Sequence, residues 1–476
     1  MLDTITSPYD GSTVGQLDKL DHAGADAAIA TAVAAFGAYR DLPRFTRADI
    51  LERAAQLLKE RTETFARLIA QEAGKPLYDA RGEVSRSIFN LRNAAAEGRR
   101  FSGEEVPLDV DEAVAVYQTV PGDQQRLSGR GGVRRKIGIA RRSPSGPVLA
   151  ITPFNFPLNL VLHKVAPALA VGATVVLKPA PQTPLTSVAL AELLRDAGLP
   201  EGVLSVVHCD VEVADTMVRD DRFSVVTFTG SVAVGWRIKA AAGRKKVLLE
   251  LGGNGAVIVH EDGDTARAVD CCVRGGMVFA GQYCIGVQRV LVHESVYDKF
   301  LGELLEAVRA VRTGDPLEEA TQCGPVIDEG SAKRIESWIE EARAAGAVIE
   351  VGGTRSGTVV APTVLTHTAA GMKVEDEEIF GPVVTVNPYR GIDEAIERVN
   401  ASRFGLQGAI FTEDLRTALR AGDQVDVGAL IVNDSPTFRV DSMPFGGQKE
   451  SGLGREGTRF AMEELTDIRL LVLDYS

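Results

Sequence analysis

The chain has 476 residues, which is too long for one small domain and indicates about two or three packed units. Apolar residues make up 45% of it and charged residues 25%, a composition typical of a soluble globular protein with a large core. The 52 Lys and Arg against 65 Asp and Glu leave a net charge of −13, so no strong positive field exists to hold nucleic acid or an anionic membrane.

The N-terminus and the cysteines favour a reducing, cytoplasmic location. Residues 1–4 contain no cationic stretch leading into an apolar run, so no secretory signal is predicted. The most apolar stretch, roughly 147–177, is interrupted by polar residues and prolines and is not expected to span a membrane. The five cysteines lack metal-type spacing, so neither a metal site nor a set of disulfides is predicted.

The first hundred residues are predicted to be helical. Apolar residues recur at helical spacing over 50–58, and Gly74 and Pro76 form a stop signal before a second helix over 77–98. The segment 106–142 is rich in Gly, Arg and Gln and has no clear periodicity. We interpret it as a loop plus a projecting hairpin arm, with a disordered insertion as the alternative.

Strands and helices alternate from Gly146 onward. Four short apolar runs, separated by helical patterns, are found at 147–151, 174–177, 203–207 and 225–228. A second alternating series extends over 256–432, and this order is typical of doubly wound parallel sheets, which bind ligands where their strands end. The stretch 468–473 is predicted to be a lone strand that pairs with the arm of another subunit.

One turn in the first series is a candidate phosphate site. No GxGxxG motif follows the first strand, but Phe228-Thr229-Gly230-Ser231 follows the fourth and begins a helix. Gly230 permits close backbone approach, Ser231 is a good helix cap, and a helix N-terminus attracts phosphate. An ordinary strand–helix turn is the alternative.

Two further residues are candidates for catalysis. Cys284 lies in a loop before a strand over 287–293, where a thiol can be a nucleophile if a base is near, or an inert buried thiol. Glu250 is followed by two glycines at the predicted junction of two domains. It is the candidate base, with a surface or helix-capping carboxylate as the alternative.

Seven motifs in order along the chain resemble those of the NAD(P)-dependent aldehyde dehydrogenase superfamily. They are TPFNFP at 152–157, KPAPQTP at 178–184, FTGS at 228–231, LELGGN at 249–254, GQYC at 281–284, EEIFGP at 377–382 and PFGGQKESGLGREG at 444–457. Two others, NFPLNLVLHKVAP at 155–167 and NDSPTFR at 433–439, are most similar to the branch of lactaldehyde and non-phosphorylating glyceraldehyde-3-phosphate dehydrogenases.

The resemblance implies an α/β fold with two doubly wound parallel-sheet domains and a projecting β oligomerisation arm. The implied domains are a dinucleotide-binding domain over 1–125, 146–250 and 433–459, a catalytic domain over 251–432, and the arm over 126–145 and 460–476. It further implies a small-molecule aldehyde substrate and a homodimer or homotetramer, with neither nucleic acid nor a membrane as partner.

The resemblance also implies a reaction. Cys284 would attack the aldehyde carbon to give a hemithioacetal, with Asn155 and the backbone N–H of Cys284 stabilising the oxyanion. Such a donor is typically worth about 3–4 kcal/mol in the transition state. Hydride transfer then gives a thioester, and Glu250 activates the water that hydrolyses it, a role worth about 10²–10⁴ in rate.

The cofactor would be NAD or NADP. The implied binding residues are Thr152, Phe154, Lys178, Gly230, Ser231, Glu378 and Phe380. Lys178 would bond the adenosine ribose, although a solvated strand-end charge is its alternative, and Glu378 would hold the nicotinamide ribose. Pro181 stands where NAD-selective members often carry a glutamate that repels a 2′-phosphate, so we predict that NADP is tolerated.

The substrate pocket is predicted to be apolar and partly aromatic. Its candidate residues are Phe156, Leu160, Tyr283, Ile285 and Phe438. Tyr283 stands where phosphate-using relatives commonly place an arginine, so a non-phosphorylated small aliphatic, hydroxylated or aromatic aldehyde is expected. Arg439 could contact a polar substrate end or form a structural ion pair. A CoA-acylating semialdehyde dehydrogenase and a catalytically silent member of the fold are the alternative functions.

Overall fold

The computed structural model describes residues 2–108, 110 and 136–474. The helices are α1 His22–Arg40, α2 Arg44–Glu60, α3 Thr62–Ala73, α4 Leu77–Arg100, α5 Asn159–Val171, α6 Leu185–Asp196, α7 Val211–Arg219, α8 Val232–Ala241, α9 Thr265–Met277, α10 Tyr297–Arg309, α11 Glu329–Ala344, α12 Lys373–Asp376, α13 Ile392–Asn400, α14 Leu415–Gln424 and α15 Thr458–Glu464. The 3₁₀ turn Val278–Gly281 follows α9.

The strands lie between these helices. They are β1 Leu2–Thr6, β2 Thr13–Asp18, β3 Glu104–Pro107, β4 Lys136–Pro144, β5 Val148–Ile151, β6 Val175–Lys178, β7 Leu204–Val206, β8 Val225–Thr229, β9 Lys246–Glu250, β10 Gly255–Val259, β11 Val287–His293, β12 Val348–Val351, β13 Arg355–Ser356, β14 Val359–Val360, β15 Thr363–Thr366, β16 Val383–Tyr389, β17 Phe404–Gly405, β18 Gln407–Phe411, β19 Ala429–Val432, β20 Gln448–Lys449, β21 Gly452–Leu453 and β22 Thr466–Asp474.

The first large sheet has the order β21-β9-β8-β5-β6-β7, and its strands are parallel except β21. Every residue of β5, β6 and β8 is buried, because helices cover both faces of the sheet. This is why these strands are continuous apolar runs in the sequence. The four strands predicted from those runs are confirmed.

The second large sheet has the order β12-β15-β16-β11-β10-β18-β19, with only the edge strand β12 antiparallel. Its strands β10, β11, β15 and β18 are almost wholly buried, and α9 and α10 pack on the sheet through the apolar cluster that contains Phe300 and Phe411. The α/β fold with two doubly wound sheets is therefore confirmed.

The two sheets are joined by residues 251–254, directly after β9. A Cβ atom on Gly253 would lie 2.1 Å from the backbone oxygen of Cys284, which no side chain can occupy. One on Gly252 would lie 2.4 Å from a carboxylate oxygen of Glu378. The two glycines therefore allow loops of the second sheet to meet the end of the first.

A third sheet has the antiparallel order β22-β4-β3. Strand β22 pairs with β4 of the same chain over its full length, so the prediction of a lone strand is wrong, while its pairing with the arm of another subunit stays a prediction. Since β4 begins at Lys136, most of the segment predicted as loop and hairpin, and part of the predicted arm, lies outside the described residues.

The N-terminal residues differ from the helical prediction. Strands β1 and β2 form an antiparallel hairpin before α1, and their short alternating pattern is mostly exposed. No helix in the described ranges is long and apolar enough to cross a membrane.

Helix α9 leads directly into the turn that carries Cys284, and its start depends on one cap. The Asp264 side chain accepts a hydrogen bond from the backbone N–H of Arg267 at 3.0 Å. We expect D264A to lower the free energy of unfolding by about 1 kcal/mol, measured by urea denaturation. D270A removes only an exposed pair with Arg274 on the same helix and should cost less than about 0.5 kcal/mol. Equal losses in the two variants would contradict this.

Candidate active site

A cavity of about 690 Å³ lies at the C-terminal ends of β5, β6 and β8 and extends to the loops of the second sheet. It is bordered by nine of the ten predicted catalytic and cofactor residues: Thr152, Phe154, Asn155, Lys178, Gly230, Ser231, Cys284, Glu378 and Phe380. The sheet end predicted to bind a ligand is therefore where these side chains converge.

Cys284 follows a strained turn. Phe279 and Ala280 have φ angles of 49° and 52°, a left-handed conformation that costs about 1–3 kcal/mol for each non-glycine residue. Gly281 continues it with a φ of 65°, and a Cβ atom there would lie 2.1 Å from the oxygen of Gly381. Buried Gln282 fixes the turn, because its Oε1 accepts from the backbone N–H of Ile327 at 2.9 Å. The thiol is thus held by backbone packing from both sides.

Two hydrogen-bond donors lie beside the thiol. Asn155 is 3% exposed, and its Nδ2 donates to the backbone oxygen of Gln282 at 2.8 Å, which leaves its second amide hydrogen for a ligand. The backbone N–H of Cys284 has no acceptor among the described residues. An oxyanion formed at Cys284 could therefore accept a hydrogen bond from each of these two groups.

Burial raises the pKa of the Cys284 thiol to about 12, and the neighbouring carboxyl of Glu378 adds to the rise. Arg439 acts in the opposite direction. Without a bound ligand the thiol therefore holds its proton at neutral pH. A reaction that needs the thiolate needs added positive charge or a proton acceptor at this position.

Glu250 ends β9 and is 4% exposed. Burial raises its pKa well above the ordinary value, with Glu456 as the next cause, and its Oε2 has no hydrogen-bond partner among the described residues. Its side chain does not border the cavity. The carboxyl is therefore a buried, protonated group beside the cavity.

A cluster of buried charges surrounds that carboxyl. Lys164 donates to Glu456 at 2.9 Å, and Arg439 donates to the other oxygen of Glu456 at 3.1 Å. Although burial opposes it, the cations Lys164 and Arg439 lower the pKa of Glu456. Of the two carboxyls, Glu456 thus ionises more readily, and burial favours the neutral form of Glu250.

The same cluster continues to Asp441. His163 contacts Asp441 through Nε2 at 2.9 Å, and Arg439 donates to its Nδ1 at 3.3 Å, so the ring is neutral with its proton on Nε2. Arg86 pairs with Asp441 at 2.5 Å and is 36% exposed. The Nε of Arg439 is buried and makes no hydrogen bond to the described residues, although it lies 4.0 Å from an oxygen of Asp441 in an ion pair.

Sequence reasoning missed this cluster. Its signal was the adjacent pair His163-Lys164 inside the otherwise apolar helix α5, where charged groups must find partners. The partners lie far along the chain, since Lys164 and Glu456 are 292 positions apart. The structure places Arg439 in ion pairs with Glu456 and Asp441, and its Nε makes no hydrogen bond to the described residues.

Glu378 and two aromatic rings form the cavity end nearest Cys284. Oε1 of Glu378 accepts from the backbone N–H of Gly253 at 2.9 Å, and burial raises its pKa to about 7. Phe380 has a φ of 50° and packs edge-on against Phe154 with ring centroids 5.8 Å apart. These groups enclose a flat, partly polar slot.

The opposite end contains Lys178 and Ser231. Lys178 ends β6 and is 8% exposed, and burial lowers its pKa. Ser231 precedes α8 but its side chain does not cap the helix, which differs from the predicted cap and leaves the hydroxyl exposed. The buried hydroxyl of Thr152 has no partner among the described residues. Free donors at both ends and an apolar middle fit a dinucleotide.

Of the five predicted pocket residues, only Leu160 borders the cavity. Phe156 packs against Tyr283 at 5.3 Å between ring centroids, and the buried Lys75 ammonium lies 3.4 Å from its ring centre. Ile285 is buried against Leu406 and Phe445, while Phe438 is 47% exposed. These four therefore lie outside the described cavity.

Comparisons with known proteins agree with this geometry. The model of the aldehyde dehydrogenase family matches residues 3–471. The 3-sulfolactaldehyde dehydrogenase of Priestia aryabhattai is 43% identical over 431 residues, which cover 90% of this chain and 86% of the relative.

Two solved structures are also similar over nearly the full length. Aldehyde dehydrogenase 21 of Physcomitrella patens, in complex with the reaction product succinate, has a TM-score of 0.93 and 41% identity, covering 100% of this chain and 95% of that one. Glyceraldehyde-3-phosphate dehydrogenase of Methanocaldococcus jannaschii, complexed with NADP, has a TM-score of 0.92 and 35% identity, covering 99% and 98%. The chain therefore belongs to the aldehyde dehydrogenase family of NAD(P)-dependent oxidoreductases.

Proposed function

We propose that this chain oxidises an aldehyde to a carboxylic acid through a thioester on Cys284. The observation that carries the proposal is the convergence of one loop thiol, an oxyanion donor and seven predicted cofactor residues on a single cavity. Bound NAD(P)⁺ would supply the hydride acceptor and a positive ring near the thiol. That positive charge would offset the burial that raises the pKa of Cys284.

In the acylation step, Sγ of Cys284 attacks the aldehyde carbon. Nδ2 of Asn155 and the backbone N–H of Cys284 hold the oxygen as it becomes negative, which is worth about 3–4 kcal/mol per donor. Loss of hydride from the hemithioacetal leaves a thioester on the same sulfur. The strained turn before Cys284 keeps the sulfur in place during both changes.

In the deacylation step, Glu250 takes a proton from the water that attacks the thioester. Its side chain lies beside the cavity and must rotate toward Cys284 to do so. The raised pKa suits a base that gains and then releases a proton near neutral pH. This role makes a CoA-acylating function less suitable, since a thiol acceptor needs no activated water, and the complete set of residues disfavours a silent member.

The cofactor residues would act at the two ends of the cavity. Lys178 would bond the adenosine ribose, and Gly230 with Ser231 would meet the pyrophosphate at the start of α8. At the other end Glu378 would hold the nicotinamide ribose, with Phe380 beside the nicotinamide. We also propose the predicted homodimer or homotetramer in the cytoplasm.

The substrate is proposed to be a short, non-phosphorylated aldehyde with a carboxylate or sulfonate end. The similar proteins are named for sulfolactaldehyde, or hold succinate, both of which carry such a group. Arg439 is close enough to lower the pKa of Cys284, and its buried Nε makes no hydrogen bond to the described residues. Arg86 contributes to the electrostatics of Tyr283, next to the thiol. These two guanidinium groups suit an anionic end.

The thioester requires one specific sulfur. With NAD(P)⁺ and an aldehyde, C284A should form no NADH or NADPH, whereas C271A, which removes a thiol on α9, should keep at least half of the wild-type rate. Absorbance at the reduced-coenzyme band measures the formation of NADH or NADPH in both variants. Intact-protein mass spectrometry detects the thioester. Steady turnover should need no CoA, and a strict CoA requirement would favour the acylating alternative.

The Glu250 carboxyl must be ionised to act as a base. Because burial raises its pKa, the rate of turnover should fall as the pH drops through a value above the ordinary carboxyl range. E250Q should lose this pH dependence and about 10²–10⁴ in turnover, yet still give one rapid equivalent of reduced coenzyme. E261Q, an exposed control, should behave as wild type. A wild-type pH profile in E250Q would contradict the role.

Arg86 provides a test of the anionic end. R86Q should raise the KM for succinic semialdehyde or sulfoacetaldehyde at least 10-fold, about 1.4 kcal/mol, and leave the KM for propanal within two-fold. R92Q, on the exposed side of the same helix, is the matched control. Equal effects of R86Q on charged and uncharged aldehydes would contradict the proposal, and thermal melting would verify that the variants are folded.

A further inference from the structure

We infer that Arg237 binds the 2′-phosphate of NADP and makes the chain prefer NADP over NAD. The inference rests on the proposal that the cavity holds the dinucleotide, and goes beyond it by naming the residue that selects the coenzyme. Tolerance of NADP follows already from Pro181. A preference needs a group that attracts the extra phosphate.

Arg237 lies on the wall of the cavity. Four residues of the α8 region border it, at spacings of three, three and one: Ser231, Val234, Arg237 and Ile238. Residues so spaced share one helix face. With a rise of 1.5 Å per residue, Arg237 stands about 9 Å along the helix axis from Ser231, where the pyrophosphate is proposed to bind. This displacement places it beside the adenosine half.

The guanidinium of Arg237 is available to a ligand. Its side chain is exposed, and no ion pair or hydrogen bond joins it to another described residue. Asp215 borders the same part of the cavity but is paired with Arg219 at 3.1 Å. The acid that could neutralise Arg237 is thus already engaged by another cation.

The described cavity residues that directly follow β6 include no carboxylate, although Asp210 lies close enough to Lys178 to raise its pKa. This part of the wall carries Lys178, Pro181 and Gln182. A phosphate monoester brings about two negative charges, and a planar guanidinium can meet two of its oxygens at once. Lys178 and Arg237 therefore form a positive pair at the adenosine end of a chain whose net charge is −13.

Two other roles of Arg237 predict different results. If the guanidinium stacks on the adenine ring, it strengthens NAD and NADP binding equally. If it is only a solvated surface charge, it affects neither. The ratio of the two dissociation constants therefore separates the inferred role from both.

Isothermal titration calorimetry of the full-length protein with each coenzyme, without aldehyde, measures that ratio. Wild type should bind NADP at least 10-fold more tightly than NAD. R237A should weaken NADP binding at least 10-fold and change NAD binding less than two-fold, with R237K in between because a point charge replaces the planar fork. K239A removes an exposed cation of the same helix that does not border the cavity, and should leave both constants unchanged.

Loss of affinity for both coenzymes in R237A, or for neither, would overturn the inference. So would a wild-type preference for NAD. If neither wild type nor K178A bound NAD or NADP, the proposal that the cavity holds the dinucleotide would be wrong. The inference about Arg237 would then be wrong as well. Raising the salt concentration should reduce NADP binding more than NAD binding in wild type but not in R237A.

Discussion

Burial of ionisable groups is the constraint on which the site depends. Three acids lie together at the junction of the two large sheets, and burial is the first cause of a raised pKa in each: Cys284 to about 12, Glu378 to about 7, and Glu250 well above its ordinary value. Glu378 and Glu250 also raise the pKa of Cys284, because a nearby negative charge disfavours the thiolate. Without a ligand, burial therefore favours the neutral forms of these acids. The Cys284 thiol ionises only when a positive charge enters the site.

That burial is produced by close backbone contacts between three loops. Gly253 fits against the oxygen of Cys284, Gly281 against the oxygen of Gly381, and Gly252 against the carboxylate of Glu378. Any side chain at these positions would push the loops apart and admit water to the thiol. The glycines of the LELGGN, GQYC and EEIFGP motifs thus have a common physical reason, which is to bring separate loops into close contact around the thiol.

The parts of the molecule that depend on local sequence were predictable. The buried strand Val148–Ile151 was predicted at 147–151, and Cys284, Lys178 and Glu378 converge on the cavity as the motifs imply. The absence of a GxGxxG motif did not exclude a ligand cavity, since the cavity is formed at the ends of several strands. The α/β fold and the NAD(P)-dependent aldehyde dehydrogenase family are both confirmed.

Features that depend on distant partners were not predictable. His163 and Asp441 are 278 positions apart, and neither has a local pattern that predicts the other. The contact between the buried Lys75 ammonium and the Phe156 ring, 81 positions away, likewise has no local signal in the sequence. The terminal strand β22 pairs within its own chain because β4 lies beside it, which an isolated apolar run does not reveal.

Arg439 shows why a buried charge need not have a single purpose. A guanidinium has five N–H donors, and here Nη2 donates to Glu456 and His163, while Nε lies 4.0 Å from Asp441 in an ion pair and makes no hydrogen bond to the described residues. The plane also rests on the Phe445 ring at 3.6 Å, so its orientation is fixed before any ligand arrives. The structural ion pair and the proposed contact with a substrate anion, which are alternatives in the sequence, use different atoms of the same group. A fixed guanidinium loses little further entropy on binding, and this makes the ion pair a means of orienting the donor toward the substrate.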